Sequence, residues 1–408
     1  MASFSIALSG LTAASSDLDV TANNVANANT VGYKESRAEF ADVFAAGAVN
    51  LNTSAIGEGV RLAATAQQFT QGNISTSGSN LDLAISGDGF FTLQDPSNGI
   101  VYTRNGQFSE DKNGNVVTAT GQALQVYPPT ANGGFNTGAL TDLNLQTAQS
   151  QPLATTAGTV ILNLPAGSTP PAVAPFDPTN SATFNQSTST TVYDSLGNSF
   201  PATFYFTQTA VPGTWNVNMT VNGTLLATTN KLTFSPTGAV TPPASGALNF
   251  PGFAPTDGAA AMNMTFNFAQ STQFGGGFGV TSITQNGFTT GQLSTVSIDP
   301  TGVVSAVYTN GRSTQLGQLA LANFPNPQGL KQLGNTNWSE TFSSGTHISG
   351  TAGSAGFGNI QSGALEASNV DLTTELVNMI TAQRAFQANA QVITTANQLS
   401  QTVINISH

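Results

Sequence analysis

The 408-residue chain contains no cysteine, which excludes disulfides, thiolate catalysis and cysteine-ligated metals. Its two histidines, His347 and His408, are too few for a multi-histidine metal centre. Charge is scarce, at 7% of residues against roughly 25% in ordinary soluble domains. The nine cations (Lys34, Arg37, Arg61, Arg104, Lys112, Lys231, Arg312, Lys331 and Arg384) are scattered, and carboxylates bring the net charge to −11. Without a cationic patch to displace counterions from phosphates, no nucleic acid or anionic membrane partner is expected. No run of about 20 apolar residues exists to span a bilayer, so no membrane insertion is expected. The first basic residue is Lys34 and no apolar core precedes it. A protein that leaves the cell is therefore predicted to do so without a cleaved signal peptide.

What remains is a chain with 39% hydrophobic residues, enough to bury cores, and a surface of Gly, Asn, Thr, Ser and Gln. Neutral hydrogen-bonding surfaces repel their own copies weakly, a composition suited to an assembly subunit. The length predicts several domains.

The two ends read as helices. Phe4, Leu8, Leu11, Ser15, Leu18, Ala22 and Val25 recur at 4-3-4-3 spacing, the pattern of a helix packed on another helix. Ala28 to Gly32 supplies stop signals. Leu372, Leu376, Met379, Gln383, Phe386, Ala390 and Ile393 repeat the spacing near the other end. A second stripe of Val392, Ala396, Leu399, Val403 and Ile406 is rotated from it. Asn369 and Asp371 stand where an N-cap is expected, with Glu375 in the first turn. A helix with two apolar stripes needs cover on two sides: the N-terminal helix of its own chain and another subunit.

The interior reads as strands and turns. Leu81–Ile85, Phe90–Leu93, Val296–Ile298 and Val303–Tyr308 are β-prone, and Asn105-Gly106, Asn113-Gly114 and Asn310-Gly311 are hairpin signals. Residues 146–284 hold thirteen of the 19 prolines and a single cation, Lys231, and read as an inserted β domain with strands such as Ala202–Thr207 and Trp215–Val221. The predicted fold is mainly β and multidomain with long terminal α-helices that pair as a coiled coil. Nested discontinuous β domains lie between them. The expected boundaries are 1–30 with 366–408 for the helical core, and 31–70 with 357–365 for connecting segments. The inner β domain is 71–145 with 285–356, and the outer one 146–284. Gly72, Gly78, Gly277, Gly279 and Gly287 are candidate hinges between rigid parts.

Candidate catalytic patterns fail on their own chemistry. Asp111, Asn113 and Asn115 have the odd spacing of a calcium loop, but glycine sits at its fourth position and Gln122 at its twelfth, so a hairpin turn is expected. Gly275 to Gly279 lacks the Lys-Ser or Lys-Thr of a phosphate loop, and reads as a flexible crossing between β domains. The Ser86–Phe91 turn has no second carboxylate and no lysine. No catalytic residue, cofactor or metal is expected.

The stretches Leu8-Ser9-Gly10-Leu11 and Asn23 to Lys34, with Gly363 to Leu372, Glu375-Leu376-Val377 and Ala382 to Ala390, resemble the axial proteins of the bacterial flagellum. Tyr193 to Asn198, Gln285 to Phe288, Asn310 to Leu330 and Asn337 to Thr341 are similar to hook proteins in particular. The resemblance implies a structural subunit that polymerises into a curved flexible tube, a universal joint that transmits motor torque and encloses the export channel. It implies many copies of the chain as partner, together with flagellar rod, hook-capping and hook–filament junction proteins and the export apparatus. The location implied is the hook and basal body, outside the cell. A distal rod protein is the alternative. The interface residues it implies on the terminal helices are Leu8, Leu11, Leu18, Asn24, Val25, Asn27, Leu372, Leu376, Met379, Phe386, Ile393 and Leu399. Asn397 departs from an acidic residue common among relatives.

Overall fold

The computed structural model describes residues 2–44, 57–145, 150–241 and 246–406, with side chains described from residue 4 to residue 402 within those ranges. Val403, Ile406 and His408 thus lie outside the described side chains. The described residues hold two α-helices, α1 (Ala2–Ala26) and α2 (Leu372–Ile406), and are otherwise mainly β. Helix α1 is free of proline and rich in Ala, Ser and Leu. It ends before a turn in which Gly32 takes φ 69°. A Cβ at Gly32 would stand 2.5 Å from the Asn105 nitrogen, so both the conformation and the close approach require glycine. Helix α2 begins where the Asp371 carboxylate accepts the Thr373 and Thr374 N–H groups at 2.8 and 3.2 Å, an N-cap.

Contacts divide the chain into two units. One comprises 1–146, 295–307 and 313–408; the other comprises 147–294 and 308–312.

The first unit holds both helices and a large antiparallel sheet. Phe90–Asp95 lies between Gly99–Thr103 and Ala123–Tyr127, and Asn337–Ser339 extends the sheet beyond Gly99–Thr103. Alternation along Phe90–Asp95 sends neighbouring side chains to opposite faces. Phe91 and Leu93 enter a core with Val101, Leu124 and Leu319. Phe90 enters another with Tyr102, Phe324 and Trp338, where edge-to-face ring pairs dominate. Asn113-Gly114 joins the paired strands Phe108–Glu110 and Val116–Thr118. Asn105-Gly106, by contrast, closes no hairpin: the strands flanking it do not pair with each other. A Cβ on Gly106 would collide with the Leu83 carbonyl, so that glycine serves close packing.

The second unit is built from two sheets. Gln186–Tyr193, Ser199–Gln208 and Thr214–Val221 pair antiparallel in sequence order. In the other sheet, Ala157–Pro165 runs parallel to Met262–Asn267 and antiparallel to Gly279–Gln285. Ala202, Phe204 and Phe206 alternate with outward residues. Phe204 stacks edge-on against Phe250, Phe266 and Phe268 of the facing sheet, the inter-sheet core of a sandwich. Phe204→Ala is expected to destabilise this unit by about 3–5 kcal/mol; urea unfolding followed through Trp215, buried in the same core, measures it.

Two expectations about the glycines change. The run Gly275–Gly279 lies inside the second unit. It carries the chain from Thr272–Phe274 to Gly279–Gln285, both of which pair with Ala157–Pro165. Asn163 pins the run by donating to the Gly276 and Gly277 carbonyls at 3.3 and 3.0 Å. Gly277 and Gly279 therefore serve a crossing within one sheet, and bridges from Phe288 and Gly291 to Leu153 and Ser150 carry the second unit on to residue 294. Gly72 and Gly287 have no free space around them. A Cβ would strike the Ala367 carbonyl at the first and Thr155 at the second, which is the environment of a packed contact rather than a joint. Gly78 and its surroundings are open.

Candidate functional site

The terminal helices lie side by side, and small residues make the contact. Ala7, Gly10, Ala14, Thr21 and Asn24 recur on one face of α1. Ala7, Ala14, Thr21 and Asn24 are buried, and a Cβ at Gly10 would come within 2.7 Å of the Asn389 side chain on α2. Among the described side chains of α2, Ala382 and Glu375 are the buried ones. The intrachain seam thus runs one position away from the apolar stripe Leu8, Leu11, Leu18 and Val25. That is a rotation of about 100° around a helix. The reason is packing distance, because alanine and glycine let two backbones approach where leucine holds them apart.

The larger apolar groups stay outside that seam. Leu8, Leu372, Leu376 and Phe386 are exposed, and Leu399 is 63% exposed. Leu11, Leu18, Val25, Asn27, Met379 and Ile393 are half-buried. Near the start of α1 and the later turns of α2, Phe4, Ala388, Val392, Ala396, Asn397 and Leu399 border a cavity of about 1170 Å³. Asn397, the departure noted in the sequence, stands in that lining.

At the other end of the pair the chain is fastened by polar groups. The Asn24 amide uses all its capacity. It donates to the Ser36 carbonyl at 2.7 Å and to Glu375 Oε2 at 3.2 Å, and accepts from Tyr33 Oη at 3.2 Å and the Ser36 N–H at 2.9 Å. Asn369 accepts the Glu35 N–H at 2.7 Å and donates to the Gln68 carbonyl at 2.8 Å. Behind them lies a buried ion cluster. Lys34 Nζ is 2.6 Å from Glu366 Oε1, and Arg104 Nη1 is 3.4 Å from Glu366 Oε2. The Gly72 N–H and the Thr70 carbonyl complete it, at 2.9 Å from Glu366 Oε1 and 2.8 Å from Lys34 Nζ. Burial pushes the Lys34 ammonium and the Arg104 guanidinium below their ordinary values, while Glu366 pulls both back up. The sequence supplied Lys34 and Glu366 only as letters of two end signatures 332 residues apart, and nothing local marked them as a pair.

Three carboxylates, Asp17, Glu35 and Glu375, border a cavity of about 240 Å³ at this junction. Burial raises Asp17, and Glu375 raises it further. Burial also raises Glu35, with Glu375 adding to the effect and Arg37 opposing it. A carboxyl raised in the folded state is ionised more readily when unfolded. Its stabilising contribution is complete below the unfolded values of 3.8 and 4.5 and is lost as pH rises through the folded ones. Glu375→Gln is therefore expected to slow amide exchange of residues 24–36 at pH 7, and to shrink the difference between pH 5 and pH 7. The corrected exchange rates of wild type and variant make the comparison.

Among the described residues no group of three or more His, Asp or Glu is placed to hold a metal ion. The Asp111 carboxylate accepts the Asn113 and Asn115 N–H groups at 2.8 Å each, the chemistry of a turn. His347 Nδ1 pairs with Glu340 Oε2 at 2.7 Å.

Family models match four stretches of the chain. Residues 4–34 match the flagella basal body rod protein family, and residues 84–163 the flagellar hook protein FlgE/F/G D1 domain. Residues 163–288 match the flagellar basal body protein FlaE D2 domain, and 361–406 the flagellar basal body rod FlgEFG protein C-terminal family. These define an axial protein of the bacterial flagellum. Flagellar hook protein FlgE of Escherichia coli (strain K12) is 38% identical over 99% of both chains. That of Salmonella typhimurium is 39% identical over 99% of this chain and 100% of its own. The Rhizobium meliloti protein is 34% identical over 98% and 97%. The crystal structure of Helicobacter pylori flagellar hook protein FlgE2 covers 72% of this chain and 100% of its own, with TM-score 0.53 and 14% identity, a likeness of fold. The chain belongs to the flagellar hook protein FlgE family. These matches favour hook over distal rod.

Proposed function

We propose that this chain is a structural subunit of the flagellar hook, with no catalytic role, and that it polymerises through the outer faces of its terminal helices. One observation carries the reading. The intrachain seam is completed by small residues, leaving Leu8, Leu372, Leu376, Phe386 and Leu399 in solvent. Burying such side chains against further copies contributes about 25 cal/mol per Å² of apolar area. The antiparallel ribbon of Ser36–Asp42 and Val60–Gln67 supports it too: it rests on α1, where Ser9 Oγ accepts the Val60 N–H at 3.2 Å, yet its Phe40 and Leu62 stay exposed, as does Phe44 just beyond it.

In this reading α1 and α2 form a coiled-coil inner layer around an export channel. The β-rich parts form outer layers, with the outer domain extended from 146–284 to 147–294. Few charges leave few desolvated ion pairs to break as neighbours shift during bending. Rod, hook-capping and junction proteins would meet the tube at its ends, and export to the cell exterior would precede assembly. Electron microscopy of polymer grown from purified protein tests the proposal. Curved tubes are expected; straight stiff shafts would favour a rod role, and failure to polymerise at any concentration would overturn the reading.

A further inference from the structure

The strands Thr214–Val221 and Thr224–Leu225 are joined by a two-residue loop, Asn222-Gly223, with Val221 facing Thr224 across it. Both loop residues take positive φ, 50° and 77°, the backbone of the tight hairpin turn that Asn-Gly favours. We infer that Asn222 is a site of spontaneous deamidation, at which the chain converts this asparagine to aspartate and isoaspartate with water as the only co-reactant.

The chemistry needs two groups to be free at once. The Gly223 nitrogen, losing its proton to hydroxide, forms a bond to Asn222 Cγ; the Cγ–Nδ2 bond breaks and ammonia leaves. Water then opens the cyclic imide at either carbonyl, one opening giving aspartate and the other isoaspartate. Nothing is oxidised or reduced. A carboxamide held by hydrogen bonds must break them to turn toward the backbone, and a glycine N–H that donates to a carbonyl must give up that bond before it can react.

The chain has seven Asn-Gly pairs, and the structure separates them. Asn286 accepts the Thr156 and Ala157 N–H groups at 3.0 Å each and donates to Thr156 Oγ1 at 2.8 Å. Asn310 donates to the Thr289 carbonyl at 2.8 Å and accepts the Arg312 N–H at 3.0 Å. Asn105 accepts the Gln107 N–H at 3.0 Å. After Asn113 and Asn132 the glycine is the committed group: the Gly114 N–H donates to the Asp111 carbonyl at 3.0 Å and the Gly133 N–H to the Thr130 carbonyl at 3.1 Å. Asn98 donates its N–H to the Asp95 carboxylate at 3.0 Å, and Gly99 begins a strand paired with Asp95.

At the seventh pair neither group is held. Asn222 and Gly223 are exposed, and among the described residues none hydrogen-bonds the Asn222 carboxamide or the Gly223 N–H. A Cβ on Gly223 would meet nothing within 4 Å, so the ring has room to close. The Asn222 N–H donates to the Pro201 carbonyl at 2.8 Å, which fixes the main chain while the side chain turns. Both products alter the molecule. Aspartate adds a negative charge to a chain already at −11. Isoaspartate routes the main chain through the side chain and adds one carbon between Val221 and Thr224, just before Leu226 enters the core of the second unit.

The test uses the full chain, held folded in warm, mildly alkaline buffer and sampled over days. Mass spectrometry of its peptides gives the rate at each asparagine, and enzymatic methylation counts isoaspartate. Asn222 is expected to convert about fivefold faster than Asn105, Asn286 or Asn310, the ratio for opening one hydrogen bond of about 1 kcal/mol. In urea the four rates should converge, because folding alone separates them. Asn222→Gly, which accepts the positive φ and lacks the amide, should remove most of the isoaspartate formed by folded protein. Conversion of Asn222 no faster than that of the three held asparagines would overturn the inference. So would an unchanged isoaspartate yield from Asn222→Gly, or a rate gap that persists in urea and thereby traces the selectivity to local sequence.

Discussion

Glu366→Ala is expected to destabilise the unit that carries the terminal helices by about 3–5 kcal/mol, because it strands two buried cations. Lys34 and Glu366 side chains are fully buried and Arg104 is 5% exposed. The carboxylate is the shared counter-ion of both, and it also accepts the Gly72 N–H. Removing it leaves an ammonium with one carbonyl acceptor and a guanidinium whose Nε already has no partner. Lys34→Met is expected to cost less, since Arg104 then still balances Glu366. The Lys34→Met/Glu366→Ala pair should show strong coupling in a double-mutant cycle. Two tryptophans make the measurement clean. Trp338 sits in a core of the first unit and Trp215 in the core of the second. Trp215 Nε1 is buried without a partner, so Trp215→Phe removes an unsatisfied donor and leaves Trp338 as sole reporter. A Glu366→Ala urea midpoint equal to wild type in that background would mean the cluster is not buried as described.

Leu399→Asp and Phe386→Asp are expected to stop polymerisation while leaving the monomer folded. Both side chains are exposed in the single chain, at 63% and 39%, so a carboxylate there meets water and costs little. In a helical polymer it would be desolvated against an apolar neighbour. A penalty of about 3 kcal/mol per contact lowers the association constant more than 100-fold. Sedimentation gives the critical concentration and circular dichroism the helix content. Polymer at wild-type concentrations from both variants would show that these faces are not buried between subunits. Ala14→Asp is the contrasting substitution. Ala14 lies in the intrachain seam, and a charge there should separate α1 from α2 in the monomer itself.

The two cases mark what the sequence made legible. Helical ends and a β interior could be read because each rests on short-range periodicity: 3.6 residues for Leu8 to Val25, and two for Ser199–Gln208. The side of α1 that meets α2 could not, since hydrophobic spacing ranks Leu8 and Leu11 above Ala7 and Gly10, whereas close approach reverses that order. Pairing of Lys34 with Glu366 depends on the chain returning after several hundred residues, which no window reports. Asn105-Gly106 carries a strong turn signal, yet the Leu83 carbonyl occupies the space beside Gly106, so tertiary packing sets its role. Gly275–Gly279 reads as a loose link by composition, but its carbonyls are held by Asn163, a residue more than a hundred positions earlier.

Among the described residues, the polar contacts of the helix pair are densest at one end. Asn24, Asn369 and the ion cluster anchor it near residue 370, whereas the stretch around Phe4 and Leu399 is lined mainly by small and apolar groups. Mechanically this is a cantilever about 37 Å long, given the 1.5 Å rise of its 25 residues. A tilt of about one degree at the clamp moves the far tip by roughly 0.6 Å over that length. Small angular strain at the root is thereby converted into larger travel at the far end of the pair.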